Sequence, residues 1–243
     1  MRTIFMNFSY EDVFTNIYRK GLWKEGDLTP LSGSGSNPDN SKPYVDFVAD
    51  TITRLGIKSV LDIGHGDWEM WREYKFENTN YIGVDVAKDL SKSNNDKYGS
   101  KKRVFVQVKF QDSYPDAELL LCKDVLQHLS NEDVNNLLLR FSTFKYLIIC
   151  NAYRNLTTLT RIQHNLQIRS RIRKIVKFQS PMYSPGPVNN RDIETGGFRT
   201  LDITGALFLS KFQNFELIKS LDYKSEQAGI VKRVLLFKNL DEG

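Results

Sequence analysis

The sequence predicts an α/β protein built on a doubly wound, seven-stranded, mainly parallel sheet that ends in an antiparallel hairpin. Three observations lead there. Strand-like apolar runs at about 57–64, 80–86, 103–110, 117–122, 144–150, 213–220 and 231–238 alternate with helical stretches near 43–55, 68–76, 87–95, 130–141 and 202–211. Such alternation places helices on both faces of parallel strands. The last two runs are joined by a polar loop with no helical stretch, which is the pattern of a hairpin. With 243 residues, 40% hydrophobic and 26% charged, the chain can bury a sizeable core without disulfides or structural metal. The expected organisation is one domain over 1–243, with 1–43 as an N-terminal cap or loop and 152–200 as an insertion.

The elements follow in order. Residues 29–43, rich in Ser, Gly, Asn and Pro, are the low-complexity stretch and contain Ser32-Gly33-Ser34-Gly35-Ser36. After them Tyr44, Phe47, Val48, Ile52 and Leu55 recur at helical spacing and are expected to pack on the sheet. Next comes Ser59-Val60-Leu61-Asp62-Ile63-Gly64-His65-Gly66-Asp67, an apolar strand closed by an acid and two glycines. Glycines at the carboxyl end of a strand let the chain turn sharply and approach a ligand closely. About twenty residues on, Tyr81-Ile82-Gly83-Val84-Asp85 ends in a carboxylate placed to accept hydrogen bonds from ribose hydroxyls, with Val86 beside it. The third strand runs into Phe110-Gln111-Asp112. The fourth runs from Ala117 into Lys123-Asp124-Val125-Leu126-Gln127-His128-Leu129, and polar groups leaving a central strand at this end face the cleft.

Two nucleotide cofactors compete for such a site. A dinucleotide wants a third glycine so that its pyrophosphate can sit on a helix N-terminus, whereas here Trp68 is near that place and Asp67 is at the turn. Bulk and negative charge there disfavour pyrophosphate. The runs Leu61 to Gly66 and Tyr81 to Asp85 resemble the first two motifs of class I S-adenosylmethionine-dependent methyltransferases, with a Rossmann-like sheet. The family usually has a small residue at His65 and often a glycine near Trp68, so the chain departs from it at both positions. Lys123 to Leu129 resembles the fourth motif of a group that includes sugar O-methyltransferases. That group also carries counterparts of Ser32 to Ser36 and of Asp192-Ile193-Glu194-Thr195-Gly196-Gly197-Phe198-Arg199-Thr200-Leu201-Asp202.

The resemblance implies S-adenosylmethionine as cofactor, held by Ser34, Asp62, Gly64, Gly66, Asp85, Val86, Gln111, Asp112 and Lys123. Asp112 is implied near the adenine amino group, although its place before Ser113-Tyr114-Pro115 equally suits a turn residue. Ser34 and Gly35 are expected near the amino-acid end of the cofactor, where backbone amides can bind a carboxylate. The implied acceptor is a sugar hydroxyl of a glycan or nucleotide sugar. Its proton calls for a base, and His128 and Asp124 are the candidates, Asp124 also as orienter of His128 or as a ligand should a divalent ion take part. Asn190, Asp192 and Arg199 are expected to bind the acceptor, with Phe178, Met182, Tyr183 and Phe198 as apolar faces.

Charge and cysteine content narrow the setting. The net charge is +5, but residues 152–200 alone hold nine basic residues against two acidic ones. Such a basic stretch is expected to face an anionic partner, and it keeps an RNA methyltransferase open as an alternative. A non-catalytic binding module on the same scaffold is the third reading. Cys122 and Cys150 lie in apolar runs and are expected to be buried thiols in a reducing compartment. No stretch approaches the ~20 apolar residues of a membrane span, and the charged, polar amino terminus lacks a signal-peptide core, so a cytoplasmic location is expected.

Overall fold

The computed structural model describes residues 9–74, 76–154, 189–225 and 229–241. Its centre is one seven-stranded sheet formed by β1 (Ser59–Ile63), β2 (Asn80–Asp85), β3 (Arg103–Gln107), β4 (Leu119–Lys123), β5 (Tyr146–Tyr153), β6 (Phe215–Lys224) and β7 (Val231–Asn239). The spatial order is β3-β2-β1-β4-β5-β7-β6. The first five strands are parallel, and β7 runs antiparallel to both β5 and β6. In register, Ile63 of β1 sits opposite Val84 of β2 and Cys122 of β4. The chain therefore leaves these three central strands along one edge of the sheet, at Gly64, Asp85 and Asp124.

Side chains of β4 alternate between two layers, as strand geometry requires. Leu119 and Leu121 pack with Tyr44, Phe47, Val48 and Ile52 of α2 (Pro38–Leu55). Leu120 and Cys122 pack with Val134, Leu137 and Leu138 of α4 (Asn131–Arg140). Burying each such side chain stabilises by about 1.5–3 kcal/mol. Cys122 belongs to the second layer and Cys150 to the first, so both are buried free thiols separated by the sheet.

The helix boundaries have local causes. Asn37 accepts a hydrogen bond from the Asp39 amide and Pro38 takes the first helical position, so α2 begins five residues before the expected start at 43. It ends at Gly56, whose φ of 66° closes the last turn. After β2, α3 (Lys88–Tyr98) lies against β2 and β3.

Two expectations are corrected. The stretch near 68–76 is not an α-helix but a single 3-10 turn at Glu69–Trp71, because Trp68 takes φ 61° and Trp68, Trp71 and Phe76 all turn into the core. The stretch near 202–211 is likewise turns plus a 3-10 segment at Leu209–Phe212. There the Asp202 side chain accepts from the Thr204 amide and hydroxyl, holding a turn where a helix would start. In the stretch read as a cap or loop, a well-formed helix α1 (Tyr10–Arg19) appears, started by a capping box in which Ser9 and Asp12 each bind the other's amide. No helix among the described residues is long and apolar enough to cross a membrane.

Candidate functional site

The glycine turn after β1 is fixed from two sides. The Gly66 amide donates to Asp85 Oδ2 at 3.1 Å, and the Ala87 amide donates to Asp85 Oδ1 at 2.9 Å. Asp85 thus ties the turn to the start of α3. From the other side comes the Ser-Gly segment: the Asp67 amide donates to Ser32 Oγ at 2.9 Å and the Ser32 amide donates to Asp67 Oδ2 at 3.1 Å. Gly66 has φ 56°, and a Cβ there would meet Ser32 Oγ at 2.3 Å, so this approach needs glycine. Burial pushes the Asp67 carboxyl up, while its bonds to Ser32 pull it down.

Both departures from the family pattern resolve into packing. His65 is buried, with Nδ1 2.8 Å from Gly66 O and Nε2 3.2 Å from Ser91 Oγ. Its ring occupies the space above Gly83, where a Cβ would come within 3.0 Å of His65 Cδ2. Burial lowers its pKa. Trp68 points away from the turn into an aromatic cluster with Phe76, Tyr81, Tyr98 and Phe105, under the Arg103 guanidinium at 4.6 Å. Neither bulky side chain fills the ground above the glycines.

A cavity of about 390 Å³ opens over these strand ends, within the range of small-ligand sites. The glycine turn and Asp85 form its middle. Val86, Val108, Phe110 and Tyr114 line an apolar end, which Arg140 holds in place. Arg140 donates to Phe110 O at 2.5 Å and to Asp112 O, and stacks on the Tyr114 ring at 4.1 Å. On another side the lining comes from Phe14 and Tyr18 of α1, from Trp23 and from Ser32 to Ser36. Tyr10 docks α1 by stacking on Phe110 at 4.1 Å and donating to Asp133 Oδ1 at 2.7 Å.

The opposite end is charged. Asp124, just past β4, has φ 58°, and its two oxygens lie 2.5 Å from Lys123 Nζ and 2.5 Å from Lys232 Nζ. Burial pushes its carboxyl up, but the two ammonium groups outweigh this and hold it well below the usual carboxylate range. Next to it His128 Nδ1 lies 2.7 Å from Gly197 O, which assigns the proton to Nδ1 and leaves Nε2 as an acceptor, 3.3 Å from Gln127 Nε2. Burial lowers the His128 pKa to about 4. Trp23 packs on its ring at 4.8 Å and Phe198 at 5.8 Å.

Of the site residues expected from sequence, Ser34, Gly35, Gly64, Gly66, Asp85, Val86, Lys123, Asp124, His128 and Phe198 line this cavity together. The other described ones stand back from it. Asp62 is buried beneath the sheet, accepting from Tyr81 OH at 2.6 Å and Trp71 Nε1 at 3.2 Å, and burial raises its carboxyl to about 7. Gln111 and Asp112 are exposed, and the Asp112 carboxylate accepts from the Lys109 amide of its own turn. Asn190 and Asp202 bind each other through side chain and backbone. Asp192 accepts from the Asn131 and Ile193 amides. Arg199 is turned inward onto Leu129 O, Arg191 O and Asn131 Oδ1, so Asn190, Asp192 and Arg199 hold the segment down instead of facing a ligand.

Sequence reasoning missed Tyr18, Trp23, Ser32 and Lys232. The Ser9 to Asp12 spacing of a capping box is the signal that could have located α1; Lys232 sits in a strand with no such mark. Arg161, Arg169, Arg171, Arg173, Lys174 and Lys177 of the basic stretch, and Phe178, Met182 and Tyr183, lie outside the described residues.

No protein-family model and no curated protein matches the sequence. Solved structures do. Magnesium protoporphyrin IX methyltransferase from Synechocystis, with bound S-adenosylhomocysteine, matches at a TM-score of 0.59 and 14% identity over 95% of this chain and 96% of that one. The N-methyltransferase NodS from Bradyrhizobium japonicum, also in complex with S-adenosylhomocysteine, matches at 0.61 and 10% identity over 92% and 98%. The fold is that of the class I methyltransferases. The [4+2]-cyclase SpnF matches this methyltransferase fold too, at 0.58 and 11% identity over 95% and 96%, so the fold by itself does not specify methyl transfer.

Proposed function

We propose that the chain is an S-adenosylmethionine-dependent methyltransferase acting on a sugar hydroxyl. The observation that carries the cofactor is the Asp67 carboxylate, fixed at the glycine turn by the two Asp67–Ser32 bonds. A dinucleotide would place its pyrophosphate at this turn, against that negative charge. A sulfonium cofactor carries positive charge instead, and the rest of the donor set suits it. Asp85 would hold the ribose, Phe110 and Tyr114 would flank the adenine, and the Ser34 to Ser36 backbone would meet the amino-acid end.

S-adenosylmethionine, when bound, supplies a methyl group on a sulfonium sulfur, which departs as a thioether as the methyl carbon bonds the acceptor oxygen. The chain must align the acceptor, exclude water and accept one proton. His128 would accept that proton at Nε2 once the acceptor hydroxyl displaces the Gln127 amide from it, since its Nδ1–H is fixed on Gly197 O and Nε2 is unprotonated at neutral pH. A base this weak takes the proton late, once bonding to carbon has made the hydroxyl strongly acidic. Asp124, clamped between two lysines, serves as an anchor for them and not as a base. Trp23 and Phe198 beside His128 offer aromatic faces suited to the C–H face of a sugar ring. The likeness of Lys123 to Leu129 and of Asp192 to Asp202 to sugar O-methyltransferases supports the same acceptor.

The test is incubation with methyl-labelled S-adenosylmethionine and separate pools of nucleotide sugars, glycans, RNA and protein, with Asp85→Ala as control. Label in the sugar pools, lost in the control, is the expected result. Label confined to RNA overturns the acceptor, and calorimetry showing no S-adenosylhomocysteine binding by the unaltered protein overturns the enzyme reading.

A further inference from the structure

We infer that Lys232 binds an anionic group of the acceptor, a carboxylate or a phosphate, a proposal that rests on the methyltransferase reading above. Lys232 occupies a core position. Along β7 its side chain shares a face with Val234 and Leu236, both buried in the layer that packs on α2. A lysine in that row puts a charge where the fold wants an apolar residue, and its side chain is only 9% exposed. Nevertheless it lines the cavity.

An ammonium group carries three N–H donors. One of those of Lys232 meets Asp124 Oδ1 at 2.5 Å, and Asp124 is the one hydrogen-bond partner of Nζ among the described residues. Buried donors left without partners are costly, and an anion satisfies them best because charge-assisted hydrogen bonds are the strong ones. The surroundings fix where that ammonium sits. Asp124 holds it from one side, in a left-handed backbone conformation that a non-glycine residue adopts only under constraint. Lys123 takes the other Asp124 oxygen and also donates to Gly35 O at 2.9 Å, which joins the pair to the Ser-Gly segment. Strand pairing sets Lys232 opposite Ala152 at the end of β5, which also lines the cavity, beyond Asp124 from the glycine turn. An acceptor entering at that end meets His128 and Lys232 together.

The experiment is a thermal shift on the S-adenosylhomocysteine-loaded protein with three probes at equal ionic strength: glucuronate, glucose 6-phosphate and glucose. One or both anions are expected to raise Tm above the value with glucose, and which of them does so separates carboxylate from phosphate. That gain should vanish in Lys232→Met and persist in part in Lys232→Arg, while the shift caused by S-adenosylhomocysteine itself stays. Equal Tm with all three probes, or an anion-dependent gain that survives in Lys232→Met, overturns the proposal. Loss of the S-adenosylhomocysteine shift in Lys232→Met overturns it as well, by assigning the lysine to the carboxylate of the cofactor. Absence of that shift in the unaltered protein is a different failure, that of the methyltransferase reading. Should Lys232→Met not fold, as judged by circular dichroism, Lys232→Gln takes its place.

Discussion

Ser32 and Asp67 bind each other twice, each accepting the other's backbone amide in a side-chain oxygen, at 2.9 and 3.1 Å. These two bonds join the Ser-Gly segment to the glycine turn, across 35 residues of sequence. Ser32→Ala removes the acceptor of the Asp67 amide together with the contact to Tyr18 OH at 3.3 Å. A hydrogen bond lost from a partly buried site costs about 1–3 kcal/mol. With half of that falling on the bound state, S-adenosylhomocysteine affinity drops roughly two- to ten-fold. Calorimetry on the variant checks this, and an unchanged Kd would show that the latch does not shape the site.

Arg140 is expected to matter for the same ligand at the other end of the cavity. Arg140→Lys keeps the charge but loses the planar fork that spans Phe110 O and Asp112 O and stacks on Tyr114. The loop should loosen, weakening S-adenosylhomocysteine binding roughly five- to ten-fold, about 1 kcal/mol. Equal affinities of Arg140→Lys and the unaltered protein, both folded, contradict this role.

The fit between His65 and Gly83 predicts a coupled pair. Gly83→Ala places a Cβ 2.9 Å from Phe105 Cδ1 and 3.0 Å from His65 Cδ2, an overpacking that costs about 1–3 kcal/mol. Adding His65→Ala removes part of the clash, so the double variant should be less destabilised than the two single losses added together. A double-mutant cycle in urea measures the difference, and strict additivity would mean that the two positions do not share this space.

Asp62 gives a pH dependence. Its carboxyl titrates near 7 in the folded chain, chiefly through burial, against 3.8 as the ordinary value. The unfolded chain therefore releases this proton first as pH rises, and the stability contributed by the group falls from about pH 4 to about pH 7. Asp62→Asn cannot ionise. Its Tm relative to the unaltered protein should climb through that window and then level off, and a difference constant from pH 4 to 8 would refute the raised value.

How much was legible in the sequence depends on what each residue's signal was. All seven strands lie where the apolar runs are; the central parallel strands β1, β4 and β5 read as continuous apolar segments because both their faces are buried. The helices read at 68–76 and 202–211 failed for a common reason. Trp68, Trp71 and Phe76, or Leu201, Ile203 and Phe208, are apolar at spacings that a helix shares with a loop tucked into a core. The same ambiguity governed the site. Gly64, Gly66 and Asp85 were legible because strand ends and glycines dictate their place. Asn190, Asp192 and Arg199 have ligand-like chemistry, yet the Asn190 amide, the Asp192 carboxylate and the Arg199 Nη groups bind Asp202, Asn131 and Leu129. Lys232 had no local signal, since the strand that brings it to the cavity, β5 with Ala152 opposite, lies about eighty residues earlier.

That distance along the chain has a consequence for how the protein can change. Because β7 pairs with β5 from Tyr153 opposite Val231 to Tyr146 opposite Lys238, the sheet alone sets Lys232 against Ala152. Everything threaded between those two strands enters and leaves through fixed posts. Side chains that line the cavity can drift, and the choice of molecule admitted with them, while the sheet that carries Lys123 and Lys232 on either side of β5 keeps its dimensions.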